Sequence, residues 1–309
     1  VLVCFLTPAL TGFGQSGPGG VGSSASVAVW LDASQLGLTN GDTVSTWSDL
    51  SGNSNDAVQG GSTVRPVFQT NQVNGLPSIA FDGTNDNLNI YLATELSNSD
   101  DISWFFVAAT NFPAKAQTII STNYSGGSAF NYKWGSLFRN TKNEDRIRND
   151  AGGYSIRNST LSGTYILRSN VMLGASTDAF TGFVNSTSQH TATLTSFSTN
   201  AHAKTSIGKN SHNSNWYLDG SIAEMIIHAT AVNTTQRIII DNYLGAKYGL
   251  TITNDKYSFQ ASHDNEVAGI GQESSTDNHT TAKGPGAVTI TGADDLDDGE
   301  YLIWGHDAG

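Results

Sequence analysis

The chain has 309 residues, 38% hydrophobic and 14% charged, with 27 Asp and Glu against 15 Lys and Arg and a net charge of −12. That length allows one large sandwich and part of another unit, with enough chain to bury a substantial core. An acidic chain poor in cations argues against DNA, RNA and anionic membrane as partners and suits a soluble extracellular protein, or one that binds neutral sugars or cations.

In chain order, Val1 rather than Met stands first, as expected of a fragment or a processed product, and residues 1–10 form an apolar run too short to span a bilayer. Gly12-Phe13-Gly14 places small residues at the −3 and −1 positions of a cut before Gln15. Residues 1–14 therefore read as the tail of a secretory signal peptide, with a buried N-terminal strand as the alternative. Cys4, the only cysteine, lies in that run without the small preceding residue that lipidation needs. Neither a lipid anchor nor a disulfide is expected in the mature chain. Residues 15–26 read as a Gly/Ser linker.

Strands are expected over 27–32, 63–68, 78–81, 88–92, 102–108, 118–121, 130–138, 165–173, 179–184, 204–207 and 222–227, separated by Gly, Asn, Asp and Ser clusters. A helix is expected over 234–248. Asn233 can cap it with Gln236 as reciprocal partner. Ile240, Leu244 and Tyr248 mark an apolar face, with Arg237, Asp241 and Gly245 elsewhere. Lys247 falls in the last turn and Gly249 just beyond, where a left-handed cap costs little. After Ile252 the chain turns Asp-, Gly- and Thr-rich, with strands near 267–270, 287–291 and 300–304, and a domain boundary is placed there. Many short strands and one late helix specify an all-β, two-sheet antiparallel sandwich rather than alternating βα units. No repeat of about 20–50 residues is visible.

Five segments carry a family resemblance: Val29-Trp-Leu-Asp-Ala33, Asp42-Thr-Val-Ser-Thr-Trp47, Asp49-Leu-Ser-Gly-Asn-Ser-Asn-Asp56, Ser78-Ile-Ala-Phe-Asp-Gly83, and Asp219-Gly-Ser-Ile-Ala-Glu-Met-Ile-Ile-His228 with the helix ending Ala246-Lys-Tyr-Gly-Leu250. In order and spacing they resemble the concanavalin A-like, laminin-G-like jelly-roll domains of secreted bacterial surface proteins, over residues 27–252. Glu266-Val-Ala-Gly-Ile-Gly271 and Gly299-Glu-Tyr-Leu-Ile-Trp-Gly305 resemble a segment that often follows this domain in cell-surface proteins. The resemblance implies a jelly roll with its helix near the C-terminal end, a partial β-rich second unit over 253–309, and further domains beyond. The family holds sugar-binding modules, adhesion modules and a few catalytic relatives.

Asp49, Ser51, Asn53 and Asn55 put oxygen-bearing side chains at alternate positions, as calcium loops do. The other reading is a turn whose Asp and Asn bond their own backbone. Position six after Asp49 is not Gly and position twelve is Gly60, so the loop is no EF-hand; Asp82, Asp86 and Asp219 are further possible ligands. Glu224 is expected on one strand face with Ile222 and Ile226, where a buried carboxylate requires a charge partner, a metal or several donors. His228 beside it reads as a solvated strand-end residue. The Asp294, Asp295, Asp297, Asp298 and Glu300 cluster reads as a solvated turn or a weak cation site. His190, His202 and His212 lie scattered among Ser and Asn, a weak metal signal.

The chain has no G-x-S-x-G elbow, no H-E-x-x-H and no Gly-rich phosphate loop after a strand. No strand carries the alternating carboxylates that jelly-roll glycosidases aim into a groove. Sugar recognition uses aromatic faces with amides and carboxylates that orient hydroxyls. Trp30, Trp47 and Trp104 sit in apolar or motif segments and are expected in the core. Tyr132, Trp134, Trp216 and Tyr217 lie among polar residues and are the candidate ligand-binding aromatics, with coverage of a sheet edge as the other reading. The expectation is a secreted or cell-surface, non-catalytic module that binds polysaccharide or surface glycan or mediates adhesion, with no nucleic acid and no membrane insertion. Calcium is a possible structural cofactor. The alternatives are a structural spacer in a large surface protein and a polysaccharide-degrading enzyme.

Overall fold

The computed structural model describes residues 17–91, 101–111, 115–124, 132–139, 142–149, 152–160, 163–174, 179–193, 202–211, 216–284 and 288–307. The 1–14 apolar run lies outside the described residues. Two antiparallel sheets of eight strands form the body. The first runs Thr187–Thr193, Ala179–Val184, Ile166–Leu173, Asp101–Thr110, Asp219–His228, Leu76–Asp82 and Val67–Val73, and Val27–Asp32 also pairs with Asp219–His228. The second runs Gly152–Thr160, Lys142–Asn149, Tyr132–Arg139, Gln117–Tyr124, His202–Ile207, Leu88–Ile90, Ala57–Val58 and Thr46–Trp47. The expected all-β sandwich is the observed fold.

Strand alternation explains how the layers stack. Trp104, Phe106, Met225 and Ile227 point into a core shared with Leu88, Ile120, Trp134, Phe138 and Ile207 of the second sheet. Their neighbours Phe105, Val107 and Ile226 belong to a second core with Ile239, Ile240, Tyr243, Leu244 and Tyr248 of the helix. Asp101–Thr110 is buried along nearly its whole length because the first sheet is covered on both faces.

The helix spans Thr234–Lys247 with both halves of the Asn233/Gln236 capping box formed, and Gly249 is left-handed at φ +61. Its polar residues correct the expected one-sided stripe: Arg237 is 3% and Asp241 0% exposed. They pair at 2.5 Å one turn apart, and Ser169 and Ser186 donate to the same carboxylate. The pairing keeps two charges satisfied inside a layer interface, where either alone would be costly.

The Lys142–Asn149 and Gly152–Thr160 strands have no counterpart in the sequence reading. Lys142-Asn-Glu-Asp-Arg-Ile-Arg-Asn149 lacks apolar alternation, yet Glu144 and Asp145 are fully buried and Asp145 pairs with Arg168 across the sandwich. The strand predicted at 63–68 begins at Val67 and runs to Val73, behind a short helical turn at Ser62–Val64.

The segment after Ile252 forms a three-stranded sheet, Asp277–His279, Asn265–Ser274 and Glu300–His306. Val267 and Tyr257 belong to the helix-side core, so this segment shares hydrophobic packing with the sandwich. Asp277 also accepts hydrogen bonds from Thr234 N (3.1 Å) and Thr235 N (2.8 Å) at the helix start. Part of the expected 15–26 linker is packed too. Pro18, Gly19 and Gly20 are buried, and Gly20 has φ +80, with a Cβ there falling 2.9 Å from that of Ala282.

Candidate functional site

A cleft of about 620 Å³ opens where these layers meet. Trp30 and Asp32 come from the Val27–Asp32 strand, Ser34 and Gln35 from the turn after it, and Tyr243 and Lys247 from the helix. The Gly17–Gly20 turn closes one side, and Asp264, Asn265, Glu266 and Val267 close another. The site therefore needs the N-terminal turn, the sandwich, the helix and the C-terminal segment together, and ligand sites favour such junctions.

Asp32 and Glu224 are direct partners across the strand pair, so their carboxylates share a face. A register shift between Ile222 and Glu224 corrects the expected alternation. Ile222 joins the inter-sheet core while Ile226 joins the helix-side core, and Glu224 bonds to the helix. Lys247 Nζ lies 2.5 Å from Asp32 Oδ2 and 2.7 Å from Glu224 Oε2. Glu224 is fully buried and also accepts from Trp30 Nε1 (2.7 Å), Tyr243 Oη (2.8 Å) and Tyr248 Oη (2.8 Å). Asp32 accepts from the backbone and hydroxyl of Ser34 as well.

Burial pushes the Glu224 carboxyl above its ordinary pKa while Lys247 pulls it down. Donors on both oxygens identify the charged form as the one this arrangement holds. Burial works against the Lys247 charge, but Glu224 and Asp32 outweigh it and hold the ammonium above the usual lysine value. Burial first, and the Glu224 charge second, keep both tyrosine hydroxyls protonated.

The rim is polar. Asn74 donates to Lys247 O at 3.0 Å, covering a helix C-terminal carbonyl, and to Asp264 at 3.3 Å. Glu266, half-exposed at 44%, lies 3.0 Å from His306 Nε2 and holds a left-handed φ of +52. That backbone state is uncommon for a residue with a long side chain. Chemically, the cleft offers ring surface, amides, a hydroxyl and carboxylates around a floor whose charges already have partners. The sequence reading placed Trp30 in the core, but it is only half-buried and lines the cleft. The one signal pointing here was Glu224, an acid inside an apolar strand.

The predicted aromatics do not converge on this cleft. Trp134 is a correction: it is fully buried, and its ring sits 4.8 Å from Trp104, so no face is open to a sugar. Strand alternation turned it inward although its sequence neighbours are polar. The side chain of Tyr132 lies outside the described residues. Trp216 and Tyr217 are half-buried, and Tyr217 bridges to Lys209, whose ammonium lies 5.7 Å from the ring centre. Trp134, Trp216 and Tyr217 do not line the cleft.

The 49–56 loop is closed by its own hydrogen bonds. Asp49 accepts from Trp30 N, Ser51 N, Ser51 Oγ and Asn55 N at 2.7–2.9 Å. Asn53 and Asn55 donate their amides to the carbonyls of Ser24, Val27 and Ala28. Calcium there is a proposal that requires the two amides to turn their oxygens inward. Asp82 and Asp219 are paired across neighbouring strands, and Asp82 accepts from the backbone of Thr84, Asn85 and Asp86. Burial, then the Asp82 charge, push Asp86 up to about 6. Among the described residues no three His, Cys, Asp or Glu side chains are grouped to hold a metal. His212 and the side chain of His202 lie outside the described residues, and His190 is half-buried. The expectation of a solvated His228 is corrected: it is 1% exposed, and burial lowers its pKa to about 4.

No family model and no curated protein matches this chain. Solved structures do. The binding domain of Paraclostridial Mosquitocidal Protein 1 aligns at TM-score 0.53 and 12% identity, over 74% of this chain and 56% of that one. A botulinum neurotoxin serotype D/C binding domain aligns at 0.51 and 14%, over 80% and 58%. A botulinum neurotoxin type C structure, described as entering cells through two ganglioside molecules, aligns at 0.50 and 14%, over 72% and 52%. The chain thus spans little more than half of these structures. At such identities the likeness is one of β-sandwich fold. No helix among the described residues is long and apolar enough to cross a membrane.

Proposed function

We propose that this chain is a secreted or cell-surface, non-catalytic carbohydrate-binding module of the concanavalin A-like, laminin-G-like class, and that its ligand sits in the Trp30–Tyr243–Lys247 cleft. The observation that carries the reading is the lining of that cleft. A half-buried tryptophan and a tyrosine lie beside Ser34, Gln35, Asn74 and Asn265 in a volume of about 620 Å³, the mix of ring surface and amides that sugars use. Hydrolysis needs one carboxylate to protonate the leaving group and a second to attack or activate water. Asp32 and Glu224 instead share one ammonium, and Glu224 has its oxygens filled by four donors. The sandwich fold, shared with a toxin binding domain and with a neurotoxin whose cell entry is described as dependent on gangliosides, supports the same reading. So does the apolar run before Gly14 for an extracellular location.

A glycan array probed with the whole chain tests the proposal, using two variants to locate the site. Gln35 is exposed on the cleft wall, so Gln35→Trp fills the cleft and is expected to abolish binding without changing the melting curve. Trp216→Ala, outside the cleft, is expected to leave binding intact. The reverse pattern moves the site to the Trp216 loop, and no glycan bound leaves the spacer reading. Reducing sugar released from a polysaccharide overturns the non-catalytic one.

A further inference from the structure

We infer that the cleft selects saccharides carrying fixed positive charge over neutral ones and rejects saccharides carrying a carboxylate. This selectivity rests on the carbohydrate-binding reading above. Among the described residues that line the cleft, Lys247 is the single Lys or Arg, and Asp32 and Glu224 already hold its ammonium at 2.5 and 2.7 Å. Asp32, Asp264 and Glu266 line the same space. With Glu224 behind them, four carboxylates stand against one lysine.

His306 pairs with Glu266 at 3.0 Å and offsets that one charge when protonated. Among the described residues no such partner is bonded to Asp264, whose oxygens accept from the neutral amides of Asn74 and Asn265. A cleft walled by low-dielectric rings concentrates this field and draws in cations. Trp30, half-buried on the wall, adds a π face to which a quaternary ammonium is attracted, whereas the Tyr243 ring already has the Lys247 ammonium 5.4 Å from its centre. The carboxylate of a sialic acid would leave water to meet like charges and no free cation, which is unfavourable.

The test is titration calorimetry on the whole chain at low ionic strength, at a pH above the His306 titration. Three probes are compared: a trimethylated chitosan oligomer, whose charge is independent of pH, a cello-oligosaccharide of equal length, and sialyllactose. The cationic probe is expected to bind about tenfold or more tighter than the neutral one, as a partly desolvated ion contact permits. That margin shrinks with salt. Sialyllactose is expected not to bind. The pair Asp264→Asn and Glu266→Gln keeps side-chain size, and is expected to bring the cationic-to-neutral ratio toward one with the melting curve unchanged.

A cationic preference that survives this pair, or that survives Gln35→Trp, comes from the chain's overall charge of −12 and overturns the inference. Sialyllactose bound as tightly as the cationic probe overturns it too. Neutral probe bound as tightly as cationic overturns it while leaving the carbohydrate reading standing. No probe bound removes both.

Discussion

Replacing Lys247 with Met removes one ammonium and strands two carboxylates. Asp32 is 3% and Glu224 0% exposed, and the lysine side chain itself is 14% exposed. Breaking a buried pair by deleting one partner costs about 3–5 kcal/mol, because the remaining charge is left in a poorly solvated place. The partial exposure of Lys247 argues for the lower end, while the second stranded carboxylate argues for the upper. For a domain of this size that corresponds to a melting shift on the order of 10 °C. The loss depends on pH with a definite sign. Without the lysine, burial leaves the Glu224 carboxyl holding its proton more tightly in the folded than in the unfolded chain. The penalty therefore shrinks as pH falls toward the carboxylate range and is greatest at neutral pH and above. Adding Glu224→Gln to Lys247→Met removes one orphaned charge and is expected to recover part of the loss, a coupling that a double-mutant cycle reads directly. Urea midpoints of the four proteins across pH measure all of this. A cost below about 1 kcal/mol, as exposed ion pairs give, or a penalty that grows on acidification, would refute the reasoning.

Asp277→Ala removes the acceptor that the C-terminal segment offers to Thr234 N and Thr235 N, and is expected to cost about 1 kcal/mol. Burial opposes its charge, but these hydrogen bonds hold its pKa below 3.8, so the contribution is present above that value and lost as pH falls through the folded one. Unfolding of wild type and variant should converge in acid, and parallel pH curves would count against the cap. Asp86 has the opposite sign: with its pKa raised from 3.8 to about 6, stability falls as pH rises through that window. Asp86→Asn is expected to raise the melting temperature at neutral pH and flatten the slope, and an unchanged slope would contradict it. For the 49–56 loop, calcium held between Asp49, Ser51, Asn53 and Asn55 would add stability by mass action. A melting curve indifferent to excess chelator leaves the hydrogen-bonded turn alone.

What the sequence by itself determined are the features carried by local periodicity and local chemistry. The Asn233 to Gly249 helix was legible end to end because its cap, reciprocal Gln and left-handed stop are short-range signals. Val27–Asp32 and Ala179–Val184 were legible because alternation and turn residues bracket them. Only the tertiary structure decided which polar groups are buried. Lys142–Asn149 lacks the apolar alternation of a strand, yet Asp145 faces Arg168, 23 residues away, inside the sandwich. Lys247 reads as a helix-end cation, but it meets Asp32, a contact 215 residues apart in sequence. Trp134, expected among polar surface groups, is in the core, and Trp30, expected in the core, lines the cleft. A ring's environment is set by which strand crosses it from the opposite sheet, and periodicity along one strand cannot encode that. The cleft follows the same rule. Its walls come from six separate stretches of chain, and each taken alone carries only turn, strand or helix signals.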